Sequence, residues 1–377
     1  MKTLLASRRY AMATISVGML LTLAIVFPFS SLAAAAVRPG AVGVAFSPDG
    51  KLLAAAYGNG AVWLWDPATN QRRGLAPPAS SAVRADSVAF SADGKLLAAG
   101  YSNGAIALWN PDTGRADGSP LRAGSSVTAT AFGPNGSQLA AAYGNGVVRV
   151  WNPRTRRSRR LAALGPSPVS ADAVAFSPDG KLLAVGYSNG TVRLWNPDTG
   201  DAVGAPVHGG SGSVNALVFD PDGELVAVAY ANGTVWLWEP ANHQRRSLGA
   251  PAISPVEADG VAFSPDGKRL AAAYANGTIT LWNPATGQNA GALPPGGAGS
   301  VNAVAFSPDG NRLAAAYGNS TVRLWNPHSV QPGGGGIGGW LEGAAAVIAI
   351  LLSVAAIAIT ARALYPENRW LSVPGRR

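Results

Sequence analysis

The chain has 377 residues, a formal charge of +9 and only 13% charged residues, with 47 glycines and 28 prolines. Such a composition favours many short strands joined by tight turns and disfavours helices. There is no cysteine, which excludes disulfides, thiolate metal sites, covalent haem and a lipoprotein anchor.

Lys2, Arg8 and Arg9 precede an uncharged stretch from Tyr10 to Phe29, followed by a small-residue run that ends at Ala36. A positive start, an apolar middle and an alanine-rich exit predict an export signal over residues 1–36. The apolar stretch, about 20 residues long, can equally stay as a membrane anchor.

Residues 37–331 hold one unit seven times, marked by Phe46, Phe90, Phe132, Phe176, Phe219, Phe263 and Phe306 at intervals of 42 to 44 residues. A fixed period in the forties means a supersecondary unit copied and stacked. In the first copy, Val42 to Phe46 reads as a strand and Ser47-Pro48-Asp49-Gly50 as a turn. Leu52 to Tyr57 is a second strand, and Asn59-Gly60 is a two-residue hairpin signal. Val62 to Trp65 is a third strand, and Arg72 to Leu75 a weaker fourth. The expected fold is all-β: a seven-bladed propeller of four-stranded antiparallel blades. An open β-solenoid is the alternative, although its repeats are usually shorter. The termini carry much of the net charge and leave the repeats about +4, too little to argue for nucleic acid.

Residues 332–339 are a glycine-rich tether. Residues 340–364 read as a transmembrane helix, since Gly343 to Ala361 carries no charge and Trp340 and Tyr365 flank it as interfacial aromatics. Residues 365–377 form a short basic tail. Basic residues outside both apolar segments place the two tips in the cytoplasm and the propeller outside a cell membrane. That gives one pass, or two if the first segment is retained.

The repeat resembles the WD40 family over nearly all of residues 41–331. The family's tryptophan matches Trp65, Trp109, Trp151, Trp195, Trp238, Trp282 and Trp325. Its Gly-His pair is missing, and its hairpin aspartate falls on Asn59, Asn103, Asn145, Asn189, Asn232, Asn276 and Asn319. The family's usual buried polar set is therefore not expected, and Tyr57, Tyr101, Tyr143, Tyr187, Tyr230, Tyr274 and Tyr317 are the candidates for a replacement hydroxyl. The resemblance also implies that an N-terminal strand, near Leu32 to Val37, completes blade 7. That assignment conflicts with cleavage after residues 33–36.

Departures from the repeat carry the functional signal. Four residues before the last six marker phenylalanines stand Asp86, Thr128, Asp172, Asn215, Asp259 and Asn302. They read either as a polar binding rim at one mouth of the channel or as strand caps. Blades 1, 3 and 5 carry Arg72 and Arg73; Arg154, Arg156, Arg157, Arg159 and Arg160; and Arg245 and Arg246. These read either as contacts to an anionic envelope polymer or lipid, or as charge protecting outer edges. Trp63 and Trp236 are extra tryptophans, suited to stacking on sugars or to packing between blades.

His208, His243 and His328 are scattered, with no repeated carboxylate or serine partner, no metal-ligand spacing and no phosphate loop. The sequence therefore predicts no catalytic residues, no cofactor and no metal. It predicts a bacterial, membrane-tethered, non-catalytic scaffold or sensor that binds a protein partner. An envelope-polysaccharide module is the alternative, and an enzyme the third.

Overall fold

A computed structural model describes residues 40–330, apart from 78–82, 162–168, 210, 250–255 and 295–298. The described strands form seven antiparallel sheets in chain order, six of four strands and the last of three. In blade 1 these are Ala41–Phe46, Leu53–Tyr57, Val62–Trp65 and Arg72–Leu75, within a residue of the boundaries read from the sequence. First strands of consecutive blades pack side by side, and the seventh returns to the first. The molecule is therefore a closed seven-bladed propeller.

The second strand of each blade shows why these residues fold this way. All its residues are buried, as in Leu53–Tyr57, because a neighbouring blade covers each face. The period of two sorts the side chains: Leu53, Ala55 and Tyr57 pack toward blade 7, while Ala54 and Ala56 pack toward blade 2. Large residues face backward onto the small residues of the preceding blade. The core is accordingly seven separate layers, one at each junction.

The tyrosines expected to replace the family's polar set do so directly in blade 3, where Trp151 Nε1 donates to Tyr143 Oη at 3.2 Å. In blades 4, 6 and 7 the indole only offsets part of the burial that raises the tyrosine pKa, and the ring nitrogens stop short of hydrogen-bond geometry.

The ring closes where Gly40 abuts Gly318, so tightly that a Cβ on Gly40 would lie 2.5 Å from the Gly318 carbonyl oxygen. Blade 7 has no fourth strand among the described residues. Leu324 on its third strand (Val322–Trp325) is consequently 40% exposed, whereas the matching Leu64 and Leu281 are 2% and 1% exposed. The segment expected to cover it, 32–37, lies outside the described residues, as do both candidate membrane segments. Among the described residues no helix is long and apolar enough to cross a membrane.

Candidate functional site

Every first strand carries a β-bulge at its second residue. In blade 2, Ala85 pairs with Tyr101 and Ser87 with Gly100, so Asp86 is skipped. The skipped residues in the other blades are Val42, Thr128, Asp172, Asn215, Asp259 and Asn302. A bulge frees a side chain from the ladder and re-aims it.

The Asp/Asn/Thr series thus stands at one level of the inner wall, and in blades 3, 5 and 7 its side chains run to the next blade. Thr128 Oγ1 donates to the Ala171 carbonyl at 2.5 Å. Asn215 Nδ2 donates to the Ala258 carbonyl at 3.2 Å and to Asp259 Oδ1 at 3.3 Å. Asn302 Nδ2 donates to the Ala41 carbonyl at 2.7 Å. Blades 3, 5 and 7 therefore supply donors to the blades that follow them. The carboxylates of blades 2 and 4 take local partners, whereas Asp259 of blade 6 accepts from Asn215 of blade 5. Arg84 pairs with Asp86 at 2.7 Å, and Ser170 Oγ donates to Asp172 Oδ1 at 2.5 Å. Burial raises the pKa of all three carboxylates; Asp259, with Glu257 beside it, is pushed up to about 6 against the opposing Asn215 bond. Among the described residues, no group of three or more His, Cys, Asp or Glu side chains could hold a metal ion.

The arginines divide into two sets. Arg73 of blade 1 donates to the Pro111 and Asp112 carbonyls of blade 2. Arg159 of blade 3 donates to the Thr199 carbonyl of blade 4 at 2.8 Å. Arg246 of blade 5 donates to the Pro284 and Ala285 carbonyls of blade 6. Arg156 and Arg245 reach backward, to the Asp117 and Ser119 carbonyls and to the His208 carbonyl. Arg72 lies over Trp63 at 5.0 Å and Arg245 over Trp236 at 5.6 Å, so both extra tryptophans are half-buried beneath guanidinium groups. Arg154, Arg157 and Arg160 are exposed, with no side-chain hydrogen bond or acidic partner among the described residues.

The sequence reading missed what the marker phenylalanines do. With the turn prolines they line a cavity of about 460 Å³ that includes Phe132, Phe176, Phe219, Phe263 and Phe306. The signal was present in the repetition itself, but a repeated apolar residue reads as core. The Ser-Pro-Asp-Gly aspartates are turn residues, as in Asp49, which accepts from Ser47 Oγ at 2.7 Å and from the Lys51 amide at 3.1 Å. These bonds hold its pKa below the usual carboxylate value. The histidines stand apart: His208 contacts Thr191 Oγ1 at 3.2 Å, His243 occupies a turn at φ 59°, and His328 follows the third strand of blade 7.

No curated protein matches this sequence. The family model for the WD domain, G-beta repeat, matches residues 38–66, 79–110, 118–152, 165–196, 205–239, 257–283 and 293–326. These seven matches fall on the seven blades in order, and the chain belongs to the WD40 family.

Proposed function

We propose that the protein is a non-catalytic, membrane-tethered scaffold or sensor domain, its propeller held on the outer side of a bacterial cytoplasmic membrane. The observation that carries this reading is the complete ring of WD40 blades, since WD40 propellers generally bind protein partners. The tether rests on the uncharged stretch Gly343 to Ala361, its flanking aromatics and the basic residues beyond it. The absence of native cysteine makes the topology testable with single introduced thiols. Ser137→Cys should react with a membrane-impermeant maleimide on intact cells, and Ser372→Cys only after lysis. The reverse pattern overturns the orientation. Crosslinking in intact cells should give discrete protein adducts, and a propeller without adducts would overturn the scaffold role.

A second reading is supported by Arg154, Arg157 and Arg160. Their exposure without acidic partners suits contact with an anionic envelope polymer or lipid headgroup. Trp63 and Trp236 lend no comparable support to sugar stacking, because arginines cover them.

A further inference from the structure

The turn after each third strand presents backbone carbonyls to the preceding blade, and arginines claim them at several junctions. The donors come from two repeat positions. One lies on the outer strand, where Arg73 faces Leu64, Arg159 faces Val150 and Arg246 faces Leu237. The other lies two residues after the Asp-Gly turn, where Arg269 of blade 6 donates to the Pro327 carbonyl of blade 7. Arg312 of blade 7, at the same position, lines the cleft that holds Asp66 and Pro67 of blade 1.

At the junction of blades 4 and 5 both positions are apolar. Val203 faces Leu194 on the outer strand, and Leu182 stands where Arg269 and Arg312 stand. No described side chain donates to the Pro240 or Ala241 carbonyls, the counterparts of Pro284 and Ala285. The junction of blades 2 and 3 also lacks a forward arginine, but there the turn itself bears Arg154.

Two further departures meet at the same place. Glu224 replaces the lysine of Lys51, Lys95, Lys181 and Lys268, and Glu239 follows Trp238 where other blades have Asp66 or asparagine. Both glutamates line a cleft of about 600 Å³ with Leu182, Leu194, Val203, Pro240 and Ala241. Val203 is 38% exposed and, with Leu324, one of only two exposed large hydrophobic residues among those described. Asn242 Nδ2 donates to Glu239 Oε2 and holds that carboxylate in place.

An apolar floor, two carboxylates and unclaimed carbonyls match the needs of one side chain. Arginine has an aliphatic stem that covers apolar surface and a planar fork of five donors. We infer that the cleft between blades 4 and 5 takes an arginine of an extended partner segment, seated as the protein's own arginines are seated at neighbouring junctions. The inference rests on the scaffold reading and names the chemistry of its partner. The repeats carry only about +4, so the attraction of an arginine-bearing segment to this cleft comes from the two carboxylates that line it.

The test uses the full chain in detergent micelles and a fluorescein-labelled peptide, Gly-Leu-Arg-Leu-Gly, followed by anisotropy. Binding should saturate, weaken with salt, and fall by about tenfold or more when citrulline replaces arginine. Glu224→Lys and Glu239→Asn, which restore the repeat, should each weaken it by a similar factor. Val203→Arg should fill the cleft from within, abolish binding and raise the melting temperature by about 2 °C or more. The rise also shows that this variant folds. Equal binding of the citrulline peptide, unchanged binding to folded Val203→Arg, or no saturable binding overturns the inference. A protein partner crosslinked in cells that stays on folded Val203→Arg overturns the cleft and leaves the scaffold reading standing. Peptide binding as expected, with no partner crosslinked in cells, overturns the scaffold reading alone.

Discussion

Asn302 Nδ2 donates to the Ala41 carbonyl across 2.7 Å, joining residues 261 positions apart. The same bond, from the same bulge position, links blade 3 to blade 4 through Thr128 and blade 5 to blade 6 through Asn215. One repeat position therefore ties three junctions, and the ring closes by the device that holds it elsewhere.

Asn302→Ala should leave the Ala41 carbonyl without its donor and destabilise the propeller by about 1–2 kcal/mol. Asn302→Asp, which cannot donate when ionised, should cost more at neutral pH. Asn302→Thr should retain most of the stability, as Thr128 does at its own junction. Thermal unfolding of the full-length variants checks the order Thr, Ala, Asp; equal melting temperatures would show that the bond does not hold the ring.

The raised pKa of Asp259 makes stability depend on pH in a defined direction. Its folded value of about 6 lies above the ordinary carboxylate range, so the folded state binds the proton more tightly than the unfolded chain does. That contribution is present below about pH 4 and is lost as pH rises through about 6. Asp259→Asn should remove this loss and stabilise the protein by about 1–2 kcal/mol at pH 7.5, with little effect at pH 4. Urea unfolding at the two pH values decides the matter; an equal gain at both would show that ionisation is not the cause. Asp86 and Asp172 act in the same direction.

Blade 7, which has three strands among the described residues, makes a register prediction. In blades 1, 2, 4 and 6 the residue paired with the first apolar residue of the third strand is Leu75, Leu121, Val207 or Leu293, six to ten positions before the next blade's first strand. Counted back from Ala41, that window contains Leu32, which should pair with Val322. Leu32→Cys with Val322→Cys should form an intramolecular disulfide in this cysteine-free chain and slow its migration under non-reducing conditions. A mature chain that begins beyond residue 36, or a bond formed only between two molecules, would rule the pairing out.

The two sets of arginines should separate experimentally. Arg246→Ala removes a donor to two blade 6 carbonyls and should cost about 1 kcal/mol or more. Replacing Arg154, Arg157 and Arg160 together with alanine should change stability by less than about 0.5 kcal/mol, yet weaken sedimentation with anionic vesicles. If Arg246→Ala is neutral and the triple variant unfolds, the division is wrong.

Much of the fold was legible along the chain. Each Asn-Gly pair is a hairpin, as where Asn59 Oδ1 accepts the Ala61 amide and Gly60 takes φ 83°. The third strand of blade 1 runs from Val62 to Trp65 as its apolar run and the following proline predict. The site was less legible. Thr128, Asn215 and Asn302 stood out by their alternation with the aspartates, but nothing local showed that a bulge aims them at the next blade. Glu224 and Glu239 are separate departures in the sequence and line one cleft only in the folded ring.

By itself the sequence determined the number of blades and the strands within them. These follow from a period of two within strands and a period in the forties between units, both local and repeated. Only the tertiary structure decided what the irregular polar residues do. Arg73, Arg159 and Arg246 find their carbonyls about forty residues away in the next blade. A long flexible side chain carries no local mark of which neighbour it will reach, so its role emerges only once the ring brings two blades together.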